Sequence, residues 1–133
     1  MSSKSAHSLR SPLSRARGYG SAKEGVDTFL AERISALALI PLTLWFVFSV
    51  ARLPLESFGA VKHWIAAPSV AVTLVLFIAT LFYHSSLGVK VVVEDYVAGE
   101  GRKLVTLLFV KFAHAVLAAA GIFAVLKIAL GSP

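Results

Sequence analysis

The sequence predicts an all-α membrane protein with three transmembrane helices that run up, down and up through a bilayer. Of its 133 residues, 57% are hydrophobic and only 15% are charged, and the mean hydropathy of +0.80 is high for a soluble domain of this size. Charged residues divide the chain into three apolar segments, each long enough to cross ~30 Å of hydrocarbon as a helix. We therefore expect a basic polar tail at residues 1–30 and one three-helix transmembrane domain at residues 31–133.

The first apolar segment consists of the 18 uncharged residues between Arg33 and Arg52. Pro41 lies inside it and should kink the helix, and Pro54 should help to end it. The tail before this segment is rich in Ser and Arg and has no acidic residue as far as Lys23. Such a tail fits either a bacterial topology signal or a cleaved mitochondrial transit peptide.

The second apolar segment, residues 64–89, has His84 as its one group that is ionisable near neutral pH. Pro68 suits the first turn of this helix. An imidazole inside a membrane is costly unless a metal, a cofactor or a hydrogen-bonding neighbour compensates, and Gly88, one turn later, leaves room for a helix or a flat ligand. Asp95 follows on nearly the same face, roughly 16 Å along the axis. We expect His84 at mid-membrane depth and Asp95 at the membrane surface.

The third apolar segment lies between Lys103 and Lys127 and is interrupted by Lys111 and His114. Lys111 should extend its ammonium group to the cytoplasmic face. The small residues at positions 118–121 permit close approach of a neighbouring helix. This segment is therefore expected to pack tightly against another span.

The distribution of Lys and Arg predicts the orientation of the three spans. Nine of these residues lie in the tail or between the second and third spans, and three lie on the opposite side. The nine are Lys4, Arg10, Arg15, Arg17, Lys23, Arg33, Lys90, Arg102 and Lys103; the three are Arg52, Lys62 and Lys127. The amino terminus should thus face the cytoplasm or matrix, with the carboxyl terminus across the membrane. The net charge of +6 is interpreted as this topology signal, and no nucleic acid partner is expected.

Histidine and carboxylate side chains are the available metal ligands, because the chain contains no cysteine and therefore no disulfide, thiolate-bound iron-sulfur cluster or covalently attached haem. For His84, three roles are open: an axial haem ligand, a structural histidine bonded to another helix, or a proton relay. His114 is expected at a similar depth, where it would be able to complete a two-histidine haem site within the chain.

Three further side chains lie where the spans are expected to meet the cytoplasmic surface. Asp95 and Tyr96 are either ordinary interfacial residues or a pair that binds a quinone. In the second case the phenol donates a hydrogen bond to the quinone carbonyl, and the carboxylate holds the phenol or relays a proton. Arg33 is either a topology anchor or a partner for an anionic group.

Four stretches of the sequence carry a resemblance to a known family. They are Gly20–Val26, Arg33–Leu37, His84–Gly88 and Val92–Val97. From about Gly20 to its end, the chain resembles the hydrophobic membrane anchor subunit of succinate dehydrogenase, the smaller of the two anchors of that complex. The histidine, the glycine four residues later and the Asp-Tyr pair at fixed spacing make this resemblance fairly specific.

The resemblance implies roles for four residues. His84 matches the axial ligand, and thus the iron ligand, that this subunit gives to haem b, and Arg33 matches the arginine near the haem propionates. Tyr96 matches the tyrosine that hydrogen-bonds ubiquinone, and Asp95 matches its acidic neighbour. His114 matches no motif of the family.

The resemblance further implies a four-subunit succinate:quinone oxidoreductase, in which a flavoprotein subunit and an iron-sulfur subunit dock on two membrane anchors. This chain would perform no succinate chemistry; it would share one haem b with a second, cytochrome b556-type anchor, complete a helix bundle with it and form part of the ubiquinone site. The expected location is the bacterial cytoplasmic (inner) membrane, with the mitochondrial inner membrane as the alternative.

Two other functions remain open at this point. A fumarate reductase anchor would share the topology and the quinone site, with electron flow reversed. A small structural or ion-conducting membrane protein would have no redox role, and its polar path would be lined by His84, Lys111 and His114.

Overall fold

The computed structural model describes residues 23–131 of the chain, and over that range it forms four α-helices. We number them α1 (Lys23–Ala51), α2 (Phe58–Ala66), α3 (Pro68–Tyr96) and α4 (Glu100–Leu130). Helices α1, α3 and α4 are long and apolar enough to cross a membrane, which confirms the predicted all-α membrane fold with three spans.

The amino-terminal tail lies outside the described residues as far as residue 22, so the structure does not bear on its interpretation as a topology signal or transit peptide. Helix α1 begins at Lys23, inside the segment 1–30 that the sequence assigned to the polar tail. Pro41 lies within α1, where its missing N–H leaves the Leu37 carbonyl without an intrahelical donor. The helix nevertheless continues to Ala51, three residues before Pro54.

Helix α2 is a short element that the hydropathy pattern did not predict. The Ser57 side chain caps it by accepting a hydrogen bond from the backbone N–H of Ala60 at 3.3 Å. Helix α2 ends at Ala66 because Ala67 precedes a proline and adopts an extended conformation. Residues 64–66, which the sequence analysis assigned to the second span, thus belong to α2, and Pro68 opens α3 as predicted.

Helix α3 is the central element of the bundle, with α1 on one side and α4 on the other. Helix α2 packs against α3 and α4 at the end opposite the α3–α4 turn. The described core lies at that end and includes Ala71, Leu74 and Val125, next to the stacked rings of Trp45 and Trp64, whose centroids are 6.1 Å apart. The buried apolar cluster of the bundle therefore lies at the end away from the turn.

Two glycines lie where α3 and α4 meet, one in the turn between them and one in the helix contact. Gly99, in the short turn between the helices, has a φ of +89°, which an L-residue with a side chain rarely adopts. At Gly121 an added Cβ would lie 3.4 Å from Cγ2 of Ile78, so the backbone of α4 approaches α3 closely there. Of the small residues 118–121, Ala118 and Gly121 are half-buried, and the two between them are exposed.

Because three spans follow one another, the two ends of the chain are expected on opposite sides of the membrane. A reporter fused after Pro133 should read as periplasmic or intermembrane, and one fused to the amino terminus as cytoplasmic or matrix, as the positive charges predict. A fusion truncated after Ala98, in the α3–α4 turn, is the matched control and should read like the amino terminus. Finding both ends on one side would contradict the three-span topology.

Candidate functional site

His84 lies at the contact between α1 and α3. Its Nδ1 is 2.9 Å from Oγ of Ser35 on α1, and Ser35 is a buried polar residue with only 5% of its surface exposed. The same Ser35 hydroxyl is 2.7 Å from the carbonyl oxygen of Ala31 and 3.1 Å from that of Glu32, the backward bonding typical of serine within a helix. Ser35 and His84 therefore form a polar bridge between the two spans.

The other ring nitrogen of His84, Nε2, differs from Nδ1 in its hydrogen bonding. Within residues 25–131, whose side chains the structure describes, Nε2 of His84 takes part in no hydrogen bond. Gly88, one turn further along α3, is exposed, and an added Cβ there would meet nothing within 4 Å. The imidazole thus has one nitrogen engaged by α1 and one available to a ligand, beside an open stretch of helix.

His114 differs from His84 because both of its ring nitrogens are engaged. Nδ1 donates to the carbonyl oxygen of Val110 at 2.8 Å, and Nε2 lies 3.1 Å from Oγ of Ser85 on α3. Its ring also packs edge-on against Phe82, with the centroids 6.1 Å apart. A metal bound to His114 would have to displace one of these bonds, so the geometry favours a structural role for His114 at the α3–α4 contact.

The hydrogen bond between Ser35 and His84 places these two residues at the same level along the bundle. Arg33 precedes Ser35 by only about 3 Å along α1, and Lys90 follows His84 by about 9 Å along α3. On α4, Lys111 precedes His114 by about 4.5 Å. All three spans thus carry a cation on the α3–α4 turn side of this level, within about 9 Å of it along the helix axes.

Four polar side chains of the three spans lie at one level across the bundle. This polar layer consists of Ser35, His84, Ser85 and His114. Towards the end that holds α2, α3 continues with the buried apolar residues Leu74 and Ala71. These four side chains form two hydrogen-bonded contacts at one level, one between α1 and α3 and one between α3 and α4.

Arg33 is not brought to His84 by the described contacts. It is exposed, and its guanidinium carbon lies 5.0 Å from the ring centroid of Phe29, in cation–π geometry. Side chains two positions apart on a helix point about 160° away from each other, so Arg33 and Ser35 lie on different faces of α1. Arg33 shares the depth of His84 and points another way.

Asp95 and Tyr96 are the last two residues of α3. Because α3 is one continuous helix from Pro68 onward, the predicted separation of roughly 16 Å between His84 and Asp95 along the axis applies. Both side chains are exposed, and Tyr96 has 84% of its surface accessible. The phenol is therefore free to contact a ligand or another subunit at the end of the bundle.

A cleft of about 630 Å³ lies between α3 and α4 and was not predicted from the sequence. Its walls are mainly apolar, and its polar lining residues are Tyr83, Ser86, Lys90, Lys111 and His114. His84, Asp95 and Tyr96 do not line it. The cleft lies on another side of α3 from the open Gly88 surface, so it is separate from the site around His84.

Sequence reasoning did not identify Ser35 or Ser85, which hold the two histidines. A serine within an apolar span is a weak signal, because it can bond its own helix without any tertiary role. Ser86 shows this alternative: its hydroxyl donates to the carbonyl oxygen of Tyr83 at 2.7 Å, within α3.

The family model described as "Succinate dehydrogenase/Fumarate reductase transmembrane subunit" matches residues 7–124 of the chain. The chain belongs to this family. The resemblance stated from the His84–Gly88 and Val92–Val97 stretches is thereby confirmed.

Curated relatives within the succinate dehydrogenase and fumarate reductase transmembrane subunit family support this assignment. A protein of Paracoccus denitrificans named succinate dehydrogenase hydrophobic membrane anchor subunit is 34% identical over 121 residues, which cover 91% of this chain and 93% of the relative. Proteins of the same name from Rickettsia bellii and Rickettsia conorii are 28% and 25% identical, and each alignment covers 69% of this chain and 74% of the relative.

Proposed function

We propose that this chain is the hydrophobic membrane anchor subunit of a bacterial succinate dehydrogenase. In this role it docks the flavoprotein and iron-sulfur subunits to the membrane, pairs with a second anchor subunit, and contributes one axial ligand to haem b and part of a ubiquinone site. The relative from Paracoccus denitrificans with this name, aligned over nearly its whole length, supports the assignment. The geometry of His84 is the observation that carries the haem proposal.

The residues around His84 fit a haem. Nδ1 is engaged by Ser35 and Nε2 is unpartnered among the described groups, which is the usual arrangement of a histidine that ligates iron. The open backbone at Gly88 leaves space for a flat macrocycle next to the ring. Bound haem would supply one-electron redox chemistry. The second axial ligand is assigned to the partner anchor, because both nitrogens of His114 are already used.

Arg33 is proposed to reach a haem propionate by leaving its contact with Phe29. An exposed cation–π contact is worth about 0.5–1 kcal/mol, whereas a hydrogen bond to a charged group is worth about 1.5–3 kcal/mol. A carboxylate within reach of the long side chain would therefore displace the ring of Phe29. The shared depth of Arg33 and His84 supports this role, and the orientation of Arg33 requires its side chain to move.

Asp95 and Tyr96 are proposed to form one wall of the quinone site at the cytoplasmic surface. The exposed phenol of Tyr96 donates a hydrogen bond to a quinone carbonyl oxygen, and the Asp95 carboxylate holds the phenol or passes a proton to the site. The preceding residues Val91–Val93 are apolar. The remaining polar groups of the quinone site must therefore come from the other subunits.

The proposed location is the bacterial cytoplasmic (inner) membrane, with the amino terminus in the cytoplasm. Relatives from Paracoccus and Rickettsia support a bacterial setting, and the mitochondrial inner membrane is the alternative. A fumarate reductase anchor is the second candidate function, since the family description names both enzymes. Identifying the quinone that copurifies with the complex, ubiquinone or one of lower potential, discriminates between them.

The proposal is tested by purifying the complex from native membranes through a tag on the amino terminus of this chain. We expect a flavoprotein, an iron-sulfur protein and a second anchor to copurify, with a b-type spectrum on reduction and succinate-driven quinone reduction. Membranes without the tagged chain are the control. A chain that purifies without flavin and without haem would contradict the proposal.

A further inference from the structure

We infer that Ser35 is a positioning residue for the iron-ligating histidine: its hydroxyl oxygen accepts the Nδ1 proton of His84 and thereby directs the lone pair of Nε2 to the metal. The inference rests on the proposed ligation of haem by His84. In this inference a residue on α1 orients an iron ligand that belongs to another span, α3.

The direction of the hydrogen bond follows from counting donors. The Ser35 hydroxyl has one hydrogen and three neighbours within bonding distance: the carbonyl oxygens of Ala31 and Glu32, at 2.7 and 3.1 Å, and Nδ1 of His84, at 2.9 Å. Carbonyl oxygens only accept, and Ala31 is the nearest, so the hydroxyl hydrogen points to Ala31. Its oxygen lone pairs are then left to accept a hydrogen from Nδ1. The reverse direction would leave both carbonyls without that donor.

This assignment determines the tautomer of His84. A neutral imidazole carries one N–H, and if it lies on Nδ1 the lone pair lies on Nε2, the nitrogen without a described partner. Ser35 is buried and tied to its own helix by the bond to Ala31, so it is a fixed acceptor rather than a mobile one. The ring orientation and the tautomer are therefore both determined by α1.

The hydrogen bond also affects the electronic properties of the ligand. An acceptor on Nδ1–H raises the basicity of the other nitrogen, and a more basic ligand favours the ferric over the ferrous state. The bond from Ser35 to Ala31 polarises the oxygen further, since hydrogen bonds in a chain strengthen one another in a low-dielectric interior. Ser35 is therefore expected to lower the reduction potential of the iron.

The test is Ser35→Ala in the complete four-subunit complex. Removing the acceptor should raise the midpoint potential of the haem and alter its low-spin ferric electron paramagnetic resonance signal. It should also weaken haem retention by roughly tenfold, which is the low end of the usual effect of losing an outer hydrogen-bonding partner. If the variant weakens binding of ferric haem tenfold relative to ferrous haem, the midpoint potential rises by about 59 mV for this one-electron couple. Redox titration and the haem-to-flavin ratio are the measurements.

Two matched variants separate positioning from packing. Ser35→Thr keeps a hydroxyl that bonds the same helix and should restore a potential near wild type. Ser86→Ala removes a hydroxyl that bonds the Tyr83 carbonyl within α3, and it should leave the potential unchanged. If Ser35→Ala does not assemble, Ser35→Cys retains the volume with a much weaker acceptor and should shift the potential in the same direction.

An unchanged potential and signal in the assembled Ala or Cys variant would overturn the inference. The proposed function would survive that result if His84→Ala still loses haem. Retention of haem in His84→Ala would instead overturn the proposed ligation itself, so the two failures are distinguishable.

Discussion

The His84→Ala substitution is expected to remove haem b from the complex while leaving much of the assembly intact. The loss should exceed the roughly 10- to 100-fold weakening that follows loss of an outer hydrogen-bonding partner, since the proposed iron ligand itself is removed. Assembly should survive because the apolar core around Ala71 and Leu74 lies at the other end of α3. Ser35 keeps its bonds to α1 when the imidazole is absent, so no buried hydroxyl is left unsatisfied.

The measurement for His84→Ala is the reduced-minus-oxidised absorbance spectrum of the purified complex, normalised to flavin. His114→Ala is the matched control, because it removes an imidazole at the same depth from a different helix contact. We expect His114→Ala to lower stability through the loss of the bonds to Ser85 and Val110 and to retain the b-type spectrum. The opposite outcome, haem kept in His84→Ala and lost in His114→Ala, would transfer the ligand assignment to His114.

The Tyr96→Phe substitution is expected to slow quinone reduction and leave succinate oxidation unaffected. Phenylalanine keeps the ring of this exposed residue and deletes the proposed hydrogen bond to the quinone. Such a bond is worth about 0.5–1.5 kcal/mol, or more if it strengthens as charge develops on the quinone. At about 1.4 kcal/mol per factor of ten, quinone reduction should fall by several-fold to some tens of fold. In the proposed complex the flavin and iron-sulfur clusters belong to other subunits, so we expect chemistry before the quinone to remain near wild type.

Two assays on one preparation test the Tyr96 prediction. Succinate oxidation is followed with quinone and, separately, with an artificial acceptor that takes electrons before the quinone. Tyr83→Phe is the matched control, since Tyr83 is also exposed on α3 and lies far from its end. A parallel fall in both assays for Tyr96→Phe would make the phenol an assembly contact, and no change in either would exclude it from the quinone site.

The span pattern of this chain was predictable because a bilayer imposes it locally. Backbone groups in hydrocarbon must be bonded within their own segment, so long apolar runs between charges define helices, as α1, α3 and α4 confirm. Pro68 likewise marked the start of α3 through a local effect on its own turn. Helix α2 was missed because its last residues are apolar and run directly into the second span, and only the break at Ala67 separates it from α3.

The site was predictable only in part. His84, Gly88, Asp95 and Tyr96 occupy one helix, and their relative positions follow from helical geometry alone. The bonding of His84 to α1 and the orientation of Arg33 towards Phe29 did not follow from the sequence. Each of these depends on how one span is placed against the next.

The sequence by itself therefore determined the number of spans, the residues on each face of a helix and the family to which the chain belongs. The tertiary structure decided which histidine keeps a nitrogen free: Ser35 engages Nδ1 of His84, whereas Val110 and Ser85 occupy both nitrogens of His114. The physical reason is that helical periodicity determines directions within one helix, whereas the register between helices is determined by packing of side chains distant in sequence.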